Sequence, residues 1–331
     1  MPYVPPAHGS TVPGLPTPAG VPKQNVHITD LPPEVRKSFL LSMVFFPSLV
    51  GGTVCLIMFL AWWTLFSPKE PAQYARELGS LDARHRWQAA RELAENIAPS
   101  DAAADAKEQK IYDPVILTAL IQILQNKDLD KETEAWSPTS MIKQEDERGS
   151  RLRWWAAPMI GHFAAKLPSS ADKERGLNAL VSALDEKDLA VFAAQGLSLL
   201  KDVRAREALV KTLETDKDAA ARAAAAHALG AIGEYALDNK ATDKEMSLFR
   251  EPLRHAYQNS KERLSTMISK KEKDEKDEAG EEQTVLDNTA IALARLKDSM
   301  GKERLQELTQ NKDAVVSGYA TKALQVLDNK N

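Results

Sequence analysis

The nucleophilic and titratable residues of this chain do not form a recognisable catalytic pattern. Its six histidines are scattered, and no two of them have the spacing of a metal-ligand pair. The single cysteine, Cys55, excludes a disulfide framework and a cysteine-based zinc site. No G-x-S-x-G, P-loop or G-x-G-x-x-G motif occurs. We therefore expect a protein that is not an enzyme and that carries no cofactor and no metal.

Tryptophan and arginine, which favour protein interfaces, come close together in one part of the chain. The run RLRWW covers residues 151–155 and follows a segment that carries Trp136. Exposed tryptophan and arginine side chains are frequent anchors of protein–protein contacts. We predict partner contacts at Trp136, Arg151, Trp154 and Trp155. The alternative is that one of the two adjacent tryptophans packs inside the fold.

Composition excludes one class of partner and divides the chain into segments. The net charge of −4 and the pI of about 6.0 argue against a general nucleic-acid binder, which is usually basic. Half of the 18 prolines lie in residues 1–37, where proline removes backbone donors and little apolar mass opposes chain entropy. We predict that residues 1–37 form a disordered tail.

Residues 38–66 contain no charged side chain. A helix of this length can cross about 30 Å of hydrocarbon, and Trp62 lies near one end, where its ring suits the headgroup level. We predict one transmembrane helix in 38–66 and a single-pass protein of the cell membrane. The basic residues on the two flanks are too evenly divided to decide the orientation, so the side that holds the soluble part stays open. Ser48 and Gly52, four residues apart, make self-association possible.

Residues 68–331 repeat one helical template. The template has an acidic residue, an arginine four positions later, two small residues at seven and eight, and an apolar residue at eleven. In chain order, the acidic position is occupied by Asp82, Gly149, Asp188, Asp218, Glu282 and Asp313. The apolar position is occupied by Leu93, Ile160, Leu199, Leu229, Leu293 and Leu324. An acid at the start can cap a helix, and the small and apolar positions share one face.

A second helical pattern precedes each copy of the template, including one over residues 114–125. Neither helix of such a pair can bury its apolar face alone, so the pairs must stack on one another. We predict an all-α fold, an α-solenoid of about six helical hairpins preceded by the transmembrane helix. The spacing between copies exceeds the base period twice, which indicates insertions at about 128–148 and 260–281.

The fourth copy, DAAARAAAAHALGAIG at residues 218–233, resembles the HEAT-like repeats of bacteria, the type also found in phycobilisome lyases. Copies three, five and six lack its arginine, so a shared polar ladder would be interrupted there. The resemblance implies a solenoid that binds proteins. We predict a membrane-anchored scaffold or adaptor that binds a membrane-associated protein partner, such as an accessory subunit of a membrane complex. The alternative that the family offers is a bilin-lyase-like enzyme.

Overall fold

The computed structural model describes residues 46–66, 69–97, 111–131, 151–270 and 275–328. The chain divides into two compact units, residues 1–68 and residues 69–331. The predicted tail, residues 1–37, lies outside the described residues, as do Trp136 and most of the insertion predicted at 128–148. The first residues of that insertion, 128–131, are described and belong to a short 3-10 helix, Lys127–Lys131.

The first unit is represented by one helix, α1 (Phe46–Phe66), of 21 residues. Its sequence is apolar and free of charge, and the side chains of Leu56, Ile57 and Met58 are exposed. Among the residues that the structure describes, none lies in a helix with the length and apolar character needed to cross a membrane. The membrane span predicted in 38–66, which begins before the described residues, is therefore not shown by the structure.

The second unit consists of paired α-helices, and no residue in its described part lies in a β-strand. The all-α prediction is confirmed. The helices are α2 (Pro71–Leu78), α3 (Ala83–Ile97), α4 (Pro114–Gln125), α5 (Arg151–Lys166), α6 (Ser170–Ala183), α7 (Ala190–Leu200), α8 (Arg206–Thr215), α9 (Ala219–Asp238), α10 (Asp243–Lys270), α11 (Glu275–Arg295), α12 (Lys302–Leu308) and α13 (Ala314–Asp328). Consecutive helices pair from α2 onwards, so that α2, α4, α6, α8, α10 and α12 are the first helices of six pairs and the others are the second helices.

The second helices from α5 to α13 pack side by side in one layer, and the first helices cover one side of that layer. The close packing depends on small residues. A Cβ placed on Gly161 would fall 1.9 Å from the carbonyl oxygen of Gly196 on the next second helix. A Cβ on Gly230 would fall 2.8 Å from the Cα of Ala292. Both glycines lie twelve residues after the acidic position of their repeats, outside the two small positions of the template, and they allow the neighbouring helices to approach.

The acidic position of the template caps helices in three repeats, as the sequence indicates. The carboxylates of Asp82, Asp218 and Asp313 each accept a hydrogen bond from the backbone N–H two residues later, at 2.8, 2.9 and 2.8 Å. These bonds satisfy donors that the first turn of a helix leaves unpaired. The second helices of repeats one, four and six begin directly after these residues.

The predicted register of repeat three is wrong by two residues. Leu199, which the template places in the core, is 44% exposed, whereas Leu197 is fully buried. The two small residues that pack in this repeat are Ala193 and Ala194, which are also fully buried. The corrected register moves the acidic position of this repeat from Asp188 to a residue two positions earlier.

That residue, Glu186, shows a second use of the acidic position. The guanidinium of Arg153, from the preceding repeat, donates to the carbonyl of Leu124 at 2.8 Å and to Glu186 Oε2 at 2.7 Å. Arg222 makes the equivalent bond to Glu282 Oε2 of the next repeat at 2.5 Å. Both arginines are buried, so each carboxylate neutralises a charge inside the array instead of capping a helix.

The insertion predicted at 260–281 overlaps the end of α10 and the start of α11. α10 continues to Lys270, and within this extension Ser260 donates to Glu282 Oε1 at 2.6 Å while Leu264 is buried. The charge-rich sequence is therefore largely taken up by longer helices of the fifth pair. The four residues between α10 and α11 lie outside the described part.

Candidate protein-binding surface

The side of the second-helix layer that faces away from the first helices forms one continuous surface, which we call the second-helix face. On each of the five second helices α5, α7, α9, α11 and α13, residues three or four apart are exposed or half-buried on this side. Two residues from each helix define it: Trp155, Met159, Phe192, Gln195, Ala224, His227, Asn288, Ile291, Tyr319 and Lys322. Nine of these ten side chains are apolar, aromatic, amide or imidazole groups, although 27% of the chain is charged. The face is therefore a weakly polar surface on an otherwise charge-rich molecule.

Aromatic side chains occupy the two ends of the face, and alanine lies in its middle. Phe192 is half-buried on α7, and the ring of Trp154 stacks on it with centroids 5.1 Å apart and an interplanar angle of 12°. At the other end Tyr319 is 53% exposed on α13. Ala224, which is half-buried, lies on α9 between them. Such a surface suits an apolar segment of another protein.

The structure places two of the four predicted contact residues at this face. Trp154 and Trp155 are half-buried, pack against the hydrophobic core and keep part of their rings exposed. Arg151 is the first residue of α5, and Trp136 lies outside the described residues. The predicted contact set stays a prediction. The second-helix face as a whole was missed at the sequence level, because only the stacked helices bring residues of five repeats together.

His227 contributes to the low charge at the centre of the face. Burial on α9 lowers the pKa of this imidazole, and the nearby positive charge of Arg295 lowers it further. His227 is therefore neutral at neutral pH. Arg295 itself lies 4.0 Å from the carboxylate of Glu234, so this cation is paired with an acid.

A cavity of about 390 Å³ opens where α8 and α10 begin. Its apolar walls come from Val203, Ala236, Ala241 and Phe249, and Val203 is 48% exposed. The guanidinium of Arg206, which also lines the cavity, lies 5.9 Å from the Phe249 ring, within cation–π distance. The cavity can accept one apolar side chain of a partner, but it lies away from the second-helix face.

In the part of the chain that the structure describes, no group of three or more histidine, cysteine, aspartate or glutamate side chains is arranged to hold a metal ion. Two arginine–carboxylate pairs connect successive repeats there: Arg153, Arg222 and Glu282 are buried, and the side chain of Glu186 is 30% exposed. These pairs join neighbouring helices, and neither lines the second-helix face.

No protein-family profile matches the chain, and no curated protein matches it. Solved structures of helical proteins do match. An engineered protein from a structural genomics consortium is 21% identical, with a TM-score of 0.43, over 78% of this chain and 99% of its own. A designed armadillo repeat protein in complex with the peptide (KR)4 is 17% identical, with a TM-score of 0.41, over 78% of this chain and 100% of its own. The phycocyanin lyase complex of Nostoc sp. is 19% identical, with a TM-score of 0.33, over 80% of this chain and 96% of its own. The repeat architecture described above rests on the stacked helix pairs themselves.

Proposed function

We propose that this chain is a membrane-anchored helical-repeat scaffold that binds a protein partner through its second-helix face and has no catalytic role. The observation that carries the proposal is the weakly charged surface that five second helices build together. A stacked array offers an extended binding surface, and peptide or helix recognition on such surfaces uses apolar anchors placed at regular intervals. The partner should therefore present a segment with apolar side chains and little charge.

The aromatic groups at the two ends of the face are the expected anchors. Aromatic side chains contribute most to binding when a partner excludes water from around them. Trp155 and Phe192 would hold one end of the bound segment and Tyr319 the other. The short side chain of Ala224 would leave room for a larger side chain of the segment between them.

The membrane anchor is the second part of the proposal, and it is supported by the sequence. Residues 38–66 contain no charge, and the described part of this run forms a helix with exposed apolar side chains. Leaving such a helix in water costs about 25 cal/mol for each Å² of apolar surface, so it needs a bilayer or another apolar cover. Tethering would hold the second-helix face near membrane proteins and raise their effective concentration, so modest affinity would suffice.

The binding proposal is tested by placing a charge on the second-helix face. The full chain, purified in mild detergent, is compared with Ala224→Glu, and co-purifying proteins are identified. Asn178→Glu, on the exposed side of α6, introduces the same side chain away from the face. We expect Ala224→Glu to lose the partner and Asn178→Glu to keep it, with equal melting temperatures. Retention of the partner by both variants would contradict the assignment of the face.

The non-catalytic part is tested on the same purified chain. Addition of a bilin should produce no stable visible absorbance in a scaffold, whereas a lyase-like enzyme should acquire one. A turnover activity of the purified chain would refute the proposal that it is not an enzyme.

A further inference from the structure

Equivalent residues of successive repeats form a row across the second-helix face. The row consists of the residues six positions after the acidic position of the template, counted from Gly149 in repeat two and from Glu186 in repeat three. In chain order they are Trp155, Phe192, Ala224, Asn288 and Tyr319, and none of them is fully buried. We call these five residues the face row.

The helices that carry the face row are stacked in register. A Cβ on Gly161, twelve positions after the acidic position of its repeat, would meet Gly196, ten positions after the next one. A Cβ on Gly230 would meet Ala292, which are again twelve and ten positions after their acidic positions. At both contacts, equivalent residues therefore lie at nearly the same height on neighbouring helices, which are about 8–10 Å apart in such a layer.

The face row and the residues beside it offer aromatic rings and hydrogen-bond donors. Three of the five side chains of the row are aromatic, and Tyr319 also carries a hydroxyl. Asn288 donates one amide N–H to the Thr284 carbonyl at 2.9 Å, and a primary amide has a second N–H to donate. Gln195, beside the row on α7, is exposed and carries the same group. A bound segment would therefore meet apolar rings together with N–H and O–H donors.

The charges on and near the face favour an uncharged segment. None of the ten residues that define the second-helix face is acidic, so a basic segment has no carboxylate among them to bind. Lys322, at one end of the face, carries the one positive charge among these ten residues at neutral pH. Near the centre of the face, Arg295 and Glu234 lie 4.0 Å apart and balance each other. An acidic segment would therefore gain a single ammonium partner along the whole face.

The spacing of the face row favours one backbone conformation of the bound segment. Polyproline II has three residues per turn and a rise of about 3.1 Å, so every third side chain faces the same way at intervals of about 9.3 Å. Same-side residues of a β-strand repeat at about 6.6 Å, which is too short for helices about 8–10 Å apart. Two turns of an α-helix advance about 10.8 Å, but its carbonyls are bonded internally and would leave the amide donors of the face without acceptors.

A proline-rich segment has the acceptors that these donors need. Proline has no N–H, and polyproline II has no internal hydrogen bonds, so the carbonyls of such a segment are free to accept. Aromatic-lined grooves bind these segments at low entropic cost because the conformation is already formed. We propose that the second-helix face binds an uncharged proline-rich segment of a partner protein in the polyproline II conformation, with an apolar residue at every third position. The inference rests on the proposed function and names the class of segment that the face takes.

The test uses the full chain, purified in mild detergent, and two uncharged synthetic peptides with blocked termini. The first repeats Leu-Pro-Pro four times and extends about 37 Å, which matches the roughly 32–40 Å across five helices. The second repeats Leu-Leu-Pro-Pro-Pro-Pro twice, so it has the same length and composition but turns two of its four leucines away from the common side. Isothermal titration calorimetry measures both affinities. Because loss of one anchor costs roughly fivefold or more, we expect the second peptide to bind at least about fivefold more weakly.

Variants of the chain assign the binding to the face row and its donors. Tyr319→Ala removes an exposed ring and should weaken binding of the Leu-Pro-Pro peptide roughly fivefold or more. Leu248→Ala, at a 46% exposed position of α10, removes an apolar side chain from a first helix and should change nothing. Gln195→Leu removes a donor but adds apolar surface, and we expect roughly two- to tenfold weaker binding of the same peptide. Unchanged or tighter binding by Gln195→Leu would show that apolar contact alone holds the peptide and would overturn the proposal.

Other outcomes also overturn it, and they separate this inference from the proposed function. Equal affinity of the two proline peptides, or tighter binding of an alanine-rich helical peptide with leucine at every seventh position, would exclude recognition of polyproline II. Failure of both proline peptides to bind, while Ala224→Glu still loses the co-purifying partner, would refute this inference and leave the proposed function standing. Retention of the partner by Ala224→Glu would refute the face as a binding site, and this inference would fail with it.

Discussion

Two leucines of one helix, two positions apart, give the sharpest test of the repeat packing. Leu197 of α7 is fully buried among the stacked helices, and Leu199 is 44% exposed. Leu197→Ala removes buried methyl groups and leaves a cavity, so we expect a loss of about 2–5 kcal/mol in the free energy of unfolding. Leu199→Ala removes groups that are already half in water, and the expected loss is below about 1 kcal/mol.

Urea denaturation followed by circular dichroism at 222 nm measures both changes in the full chain in mild detergent. A repeat array can lose one region before the rest, so hydrogen exchange of α7 and its neighbours should accompany the titration. The two variants have the same change of side chain in the same helix, which makes each the control for the other. A larger loss from Leu199→Ala than from Leu197→Ala would show that the template register, with Leu199 in the core, is correct and the packing described above is wrong.

Two other perturbations address the buried charges and the second-helix face. Glu282→Ala should lower the free energy of unfolding by about 3–5 kcal/mol because Arg222 stays buried without its carboxylate. The double variant Glu282→Leu with Arg222→Met should lose less, because no buried charge is left unpaired. Urea titration measures both losses, and equal losses would argue against the ion pair. Burial lowers the folded-state pKa of His227 below its ordinary value of about 6.5. In acid the unfolded chain therefore binds a proton at this histidine more readily than the folded chain. The free energy of unfolding should fall as the pH drops through about 6.5. His227→Gln should weaken this fall, and identical pH profiles for the wild type and His227→Gln would refute the prediction.

Helix boundaries that depend on local chemistry were predictable. α4 runs over Pro114–Gln125, the range that the sequence pattern indicates. Proline in the first turn and the carboxylate of Asp113, which accepts the Val115 N–H at 2.8 Å, define its start. The predicted caps at the second helices of repeats one, four and six are equally local and are also found.

The register of repeat three has two candidates in the sequence. Glu186 and Asp188 both offer an acid, and Leu197 and Leu199 both offer an apolar side chain eleven positions later. The two small positions favour Glu186, because they then fall on Ala193 and Ala194 and not on Gln195 and Gly196. The choice is made by Arg153 of the preceding repeat, which binds Glu186, and by the neighbouring helices, which bury Leu197.

The sequence by itself determined the helical pairs, because caps, small residues and apolar spacing act within one or two turns of the chain. The partners of the buried arginines and the second-helix face were decided only in the tertiary structure. Arg222 meets Glu282 across 60 residues, and the residues of the second-helix face come together only after the helices of five repeats stack. Such relations join positions at variable distances along the chain, because insertions and unequal helix lengths change the spacing between repeats.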